Sequence, residues 1–146
     1  MSGARKRLMG LAALPVAVVA VLAAAPQAMA GSGSACGTDT QSVDRCLRFS
    51  FNSNEQGSQT YVWGNIPNLA SYKFITLGGG QGYSLKNHAA SAANFSNTST
   101  TIYYNSNYGG SCDTLTYYAI AEKLHYTYNN DASVKFNYGK SSCYQF

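Results

Sequence analysis

One segment of this chain occurs twice. Phe51-Asn52-Ser53-Asn54-Glu55-Gln56-Gly57-Ser58 returns fifty-three residues later as Tyr104-Asn105-Ser106-Asn107-Tyr108-Gly109-Gly110-Ser111, with an aromatic residue, an Asn-Ser-Asn turn and a Gly-Ser pair in register. A second echo follows each copy. Asn87-His88-Ala89-Ala90-Ser91 answers Asn129-Asn130-Asp131-Ala132-Ser133. Two similar stretches, about 46–95 and 100–138, read as one duplicated supersecondary unit in which neither half buries its apolar face alone.

The N-terminus belongs to a different process. Arg5-Lys6-Arg7 precedes an apolar run from Leu8 to about Ala25, and Ala28-Met29-Ala30 supplies the small-x-small pattern of a cleavage site. This is the three-part pattern of a secretory signal, so residues 1–30 are expected to be removed and the mature chain to begin at Gly31 as a secreted, extracellular protein. Three of the ten Lys and Arg leave with the signal, and seven then face six Asp and Glu, a charge of about +1. Near neutrality with scattered lysines excludes the basic footprint of a nucleic-acid binder or an anionic-membrane binder. Residues 31–146 suffice for one small domain, and a monomer is expected.

All four cysteines, Cys36, Cys46, Cys112 and Cys143, lie in the exported part, and an even count in a small exported domain reads as two disulfides. Of the three pairings, Cys36 with Cys46 and Cys112 with Cys143 join the nearest neighbours. A Cys₄ zinc site would need C-x₂-C pairs, which are missing.

Short runs rich in β-branched and aromatic residues at 47–51, 60–63, 72–77, 100–104, 115–120, 125–128 and 134–138 alternate with Asn, Gly, Ser and Pro clusters. They predict an all-β domain, a sandwich or Greek-key barrel, with short helical turns at 89–94 and 119–124. The run Gly78-Gly79-Gly80-Gln81-Gly82 lacks the Lys-Ser/Thr of a phosphate loop and reads as a flexible connection. His125 reads as a packed strand residue, no Gly-x-Ser-x-Gly elbow surrounds any serine, and the carboxylates are dispersed. The chain is therefore expected not to be an enzyme.

Tyr103-x₄-Tyr108-x-Gly110 with Ser111 after it resembles the aromatic-x₄-aromatic-x-Gly corner of the βγ-crystallin Greek key. In the first copy Ser50 and Glu55 replace the aromatics while Gly57 and Ser58 keep their places, so that corner must be built differently, with Phe49 or Phe51. The wider pattern resembles the secreted actinobacterial peptidase inhibitor family I36: Cys46-Leu47, the turn from Tyr103 to Gly110, and the two Asn-x-x-Ala-Ser loops. That resemblance implies a βγ-crystallin-like domain inhibiting an extracellular protease, first of all a metalloprotease. It does not name the reactive loop; Asp113-Thr114-Leu115 is one candidate, with Leu115 equally suited to a core strand. A second reading is a calcium module, because microbial βγ-crystallins bind Ca²⁺ through Asn/Asp-Asn/Asp-x-x-Ser/Thr-Ser, which Asn129, Asn130, Asp131 and Ser133 approach and Asn87 and Ser91 approach less well. Few carboxylates sit among these residues, so a weak or vestigial site is expected, and no cofactor beyond it. A third is a secreted toxin or antimicrobial protein, whose twelve tyrosines would stack on carbohydrate.

Overall fold

In β3 (Gln59–Trp63), Thr60 and Val62 are buried while Gln59, Tyr61 and Trp63 are half-buried, the period-two pattern of a strand with one face on a core. The computed structural model describes residues 30–37 and 45–146, and nearly all of the expected signal, 1–29, lies outside them. Preceding β3 are β1 (Gly31–Gly33) and β2 (Cys46–Ser50). After it come β4 (Ser91–Asn94), β5 (Thr100–Asn105), β6 (Gly109–Leu115), β7 (Ile120–Ala121), β8 (Ser133–Phe136) and β9 (Tyr144–Gln145). They form two sheets, ordered β1-β3-β2-β4-β7 and β8-β5-β6-β9. Every pairing between these strands is antiparallel except β6 with β9. Leu47, Phe49 and Val62 of one sheet share a single core with Ile102, Leu115 and Val134 of the other. The all-β Greek-key sandwich read from the sequence is the architecture found.

The two halves interlock. β2, β3 and β4 of the first half are joined by β7 from the second, while Ile66 of the first half bridges Val134 in β8 through Ile66 N–H to Val134 O (2.9 Å) and the reciprocal bond (3.0 Å). The second half thus lends strand β7 to the first half's sheet and the first half lends the bridging residue Ile66 to β8, which is how a unit unable to close its own core closes a shared one. The junction is symmetric down to single bonds. Asn54 N–H donates to Glu122 O (2.7 Å) and Asn107 N–H to Pro67 O (2.8 Å), while Asn87 N–H donates to Asp131 O and Asn129 N–H to Ala89 O, both 2.8 Å.

Both expected disulfides form, Cys36–Cys46 and Cys112–Cys143. Several expected elements do not. Residues 89–94 carry strand β4 instead of a helical turn, because Ser91–Asn94 pair with β2 on one edge and Ala92 and Ala93 with β7 on the other, all four residues of the strand being buried. The expected turn at 119–124 contains the exchanged strand β7, and 72–77 and 125–128 are irregular. Tertiary contacts decide all four. Of the strand expected at 115–120 only the two ends are in strands: β6 ends at Leu115, where Thr116 N–H turns to Phe146 O (3.2 Å), and β7 begins at Ile120.

Candidate functional site

The repeated turns come first, since the sequence singles them out. In both copies the chain takes two consecutive left-handed residues, Asn54 and Glu55 (φ 56° and 60°), then Asn107 and Tyr108 (φ 59° and 62°), followed by Gly57 and Gly110 at φ 78° and 79°. Such conformations disfavour side chains, and each non-glycine instance costs about 1–2 kcal/mol. A serine hydroxyl braces each turn. Ser91 Oγ accepts from Glu55 N–H (3.0 Å) and donates to Asn52 O (2.6 Å), and Ser133 Oγ accepts from Tyr108 N–H (3.0 Å) and donates to Asn105 O (2.7 Å). The repeat and its echo are thus two parts of one device. In the second corner Tyr103 and Tyr108 meet edge to face at 6.0 Å. In the first, Glu55 instead forms an ion pair with Arg48, and Phe51 packs against Phe74 and Tyr83, each at 5.5 Å.

The calcium candidates are largely committed elsewhere. Ser91 and Ser133 are spent on the turns. Asn87 and Asn129 occupy left-handed positions (φ 65° and 52°), where Asn is tolerated. Asn130 donates its side-chain amide to Tyr128 O (2.9 Å). Asp131 is fully buried; one carboxylate oxygen accepts from Ala89 N–H (2.9 Å), the other has no partner, and burial pushes its carboxyl well above the ordinary range. Beside these loops lies a cleft of about 380 Å³ lined by Lys86, Asn87, Tyr104, Asn105, Ser106, Asn130 and Ala132. It contains no carboxylate, and Lys86 Nζ donates to Ser106 Oγ there at 3.0 Å. The cleft thus offers a cationic side chain and neutral donors, whereas Ca²⁺ prefers hard, charged oxygen donors. Among the described residues no group of three or more His, Cys, Asp or Glu is placed to hold a metal.

Ser58 departs most from its copy. Ser111 is exposed, whereas Ser58 is fully buried and grips the 72–85 connection. Ser58 N–H donates to Gly79 O (2.8 Å) and Ser58 Oγ to Thr76 O (2.5 Å). Gln59 N–H donates to Thr76 Oγ1 (2.7 Å), and Gln59 O accepts from the N–H of Ile75 (3.1 Å) and Thr76 (3.2 Å). The base is closed by Phe74 N–H to Tyr83 O (3.0 Å) and Leu85 N–H to Tyr72 O (2.8 Å), with Phe74 and Leu85 in the core. The glycine run is therefore not a flexible connection. A Cβ on Gly80 would come within 2.1 Å of the Phe51 ring, so glycine there permits close packing. From this held segment Leu77 projects 88% exposed, the most exposed large apolar side chain among the described residues.

The candidate reactive segment at Cys112 takes the other role the sequence allowed. Asp113, Thr114 and Leu115 are buried. Asp113 accepts four hydrogen bonds, from the N–H of His125, Tyr126 and Thr127 (each 3.0 Å) and from the Thr127 hydroxyl (2.7 Å). His125 is accordingly a surface residue, not a packed strand residue; its ring stacks on exposed Tyr144 at 4.2 Å, with Tyr126 against it at 4.5 Å. Phe146 lies 4.9 Å beyond Tyr144. The Cys112–Cys143 bridge and the β6–β9 pairing hold this aromatic row in place.

No known sequence family matches the chain, and no curated protein does. By structure it is similar to one solved in work on the evolution of the eye lens βγ-crystallin domain fold, with a TM-score of 0.55 and 17% identity over 73% of this chain and 94% of that one. It is also similar to the N-terminal domain of protein S, with a TM-score of 0.45 and 23% identity over 62% of this chain and 92% of that one. The first likeness shows the fold, a βγ-crystallin domain, and at that identity nothing of the activity. Among the described residues no helix is long and apolar enough to cross a membrane. The two disulfides belong to an oxidising environment.

Proposed function

We propose that this is an exported, non-catalytic domain that blocks an extracellular protease, a metalloprotease in the first instance, through the 72–85 connection. The observation that carries the reading is a break in the symmetry. Pro67 and Glu122 are equivalent, each accepting from a left-handed Asn, and so are Ser91 and Ser133. Twenty-four positions separate Pro67 from Ser91 and eleven separate Glu122 from Ser133, an excess of thirteen in the first half. The second half closes its Greek key without such an excursion; in the first half Phe74 and Leu85 tie the base of the excursion into the core, while its apex around Leu77 stays outside it. Long connections without regular structure in compact domains are commonly functional. This one is held by hydrogen bonds along its length, which removes the ordering cost that a flexible loop meets on binding.

The test is titration of secreted metallo-, serine and cysteine proteases with the exported, oxidised protein, beside a variant shortened only between Thr76 and Tyr83, with Phe74 and Leu85 kept in the core and folding confirmed by its melting temperature. Stoichiometric inhibition at about nanomolar affinity, lost in the shortened variant, is expected. No inhibition anywhere at micromolar concentration refutes the reading.

One observation favours a second reading, a wall-binding toxin or antimicrobial protein: the preorganised row His125, Tyr144 and Phe146, with Tyr126 beside it. Co-sedimentation with insoluble polysaccharide, abolished by Tyr144→Ala, would move the assignment there. Calcium is third, disfavoured by the Lys86 ammonium.

A further inference from the structure

We propose that Leu77 is the anchor of the interface, and that it fills a single apolar specificity pocket on the target enzyme. This rests on the inhibitor reading and adds to it the contact residue and the class of protease. An exposed leucine alone needs no explanation; the bonds around this one set it apart. Ser58 grips both flanks of Leu77, with its main chain on Gly79 O and its hydroxyl on Thr76 O. Thr76 turns its own hydroxyl inward to Gln59 N–H. Gly78 and Gly79 carry no side chains, so nothing that follows Leu77 hinders its close approach, and Ile75 (41%) and Tyr83 (56%) of the same connection are far less exposed than Leu77 (88%).

A fixed leucine this exposed, projecting from a bend, is complementary to a concave pocket, not to a flat surface or a groove for an extended strand. Buried anchors of this kind in preformed positions carry most of the energy of an interface. The chain bends at 76–78, so the side chain enters first and the Leu77–Gly78 peptide does not lie in the cleft as an extended substrate. The target is therefore an enzyme that selects leucine-sized apolar side chains, and the loop is bound without being cut.

The experiment compares wild type, Leu77→Ala and Leu77→Asp against thermolysin, a chymotrypsin-type enzyme with an apolar primary pocket, and trypsin, whose pocket takes basic side chains. Because Leu77 packs on nothing, all three proteins should show the same melting temperature. The expected result is inhibition of at least one apolar-selective enzyme, none of trypsin, inhibition weakened about ten- to hundredfold by Leu77→Ala, and a larger loss with Leu77→Asp. Mass spectrometry after prolonged incubation should show no cut at Leu77–Gly78. If wild type inhibits and both variants inhibit equally well, or trypsin is inhibited as strongly, the Leu77 assignment is wrong while the inhibitor reading stands. If wild type inhibits nothing, both fall.

Discussion

Replacing Ser133 with alanine separates a structural role from a metal-binding one. The Ser133 hydroxyl is fully buried, and its removal leaves Tyr108 N–H and Asn105 O without the bonds of 3.0 and 2.7 Å it supplies. An unsatisfied buried polar group costs about 1–3 kcal/mol, and the turn is only partly covered, so water recovers some of that. The hydroxyl also restrains Asn107 and Tyr108 in left-handed conformations that side chains resist. Taken together, the loss should be about 2–3 kcal/mol, with no comparable gain from relaxation because the exchanged strands fix the turn from the other side. For a domain of this size that corresponds to a fall in Tm of roughly 8–12 °C. Urea or thermal unfolding of the oxidised protein, with EDTA and again with millimolar calcium, measures it. Ser91→Ala should lose a similar amount, since Ser91 makes the same two bonds to Glu55 and Asn52. A cost below about 0.5 kcal/mol in EDTA, or one that appears only when calcium is present, would refute the argument and make Ser133 a ligand.

Two further outcomes follow from the junction between the halves. Asp131 has its folded-state carboxyl raised by burial, so its contribution to stability is complete below the unfolded value of 3.8 and declines as pH rises above it toward the folded value. Asp131→Asn should remove this decline, so the stability difference between variant and wild type should grow in the variant's favour from about pH 4 upward; a difference independent of pH refutes the assignment. Lys86 occupies the cleft where calcium ligands were sought, so wild type should bind Ca²⁺ no tighter than roughly 10⁻⁴ M, and Lys86→Asp should tighten it measurably by titration calorimetry. Micromolar binding by wild type overturns this.

Much of the fold was legible because duplication is a statement about architecture. The register of Asn52 with Asn105, of Gly57 with Gly110 and of Ser91 with Ser133 returns in the structure as matching φ angles and matching hydrogen bonds. The disulfides were legible from cysteine count and spacing. Strand boundaries were less so, because β7 and the Ile66 bridge are made by pairing with the opposite half, and local composition carries no trace of that. The candidate site was the least legible part. Asn129, Asn130 and Asp131 match a ligand pattern, yet only Asn130 reaches the cleft, and Lys86, forty-four residues before it, brings the charge there. The glycine run gave a signal that pointed the wrong way: the same residues that read as flexibility permit Gly80 to pack beneath Phe51.

The two copies of Gly-Ser show how a longer connection is accommodated in a duplicated fold. The left-handed glycine is needed in both turns, and Gly57 and Gly110 differ by only 1° in φ. The serine that follows has no such obligation. In the second half Ser111 faces solvent, since only eleven positions separate Glu122 from Ser133 and no longer connection folds back over that turn. In the first half the thirteen extra residues cover the same position, and Ser58 is buried as the clamp for Thr76 and Gly79. The serine that follows the left-handed glycine in both copies is, in the first, the part that holds the extra connection. The apex at Leu77 stands apart from the paired serines, strand β7 and the shared core, to which the base of the excursion contributes Phe74 and Leu85. Substitutions at Leu77 should accordingly act on recognition and those at Ser91 or Ser133 on folding, a separation that binding and unfolding measurements on the same variants can resolve.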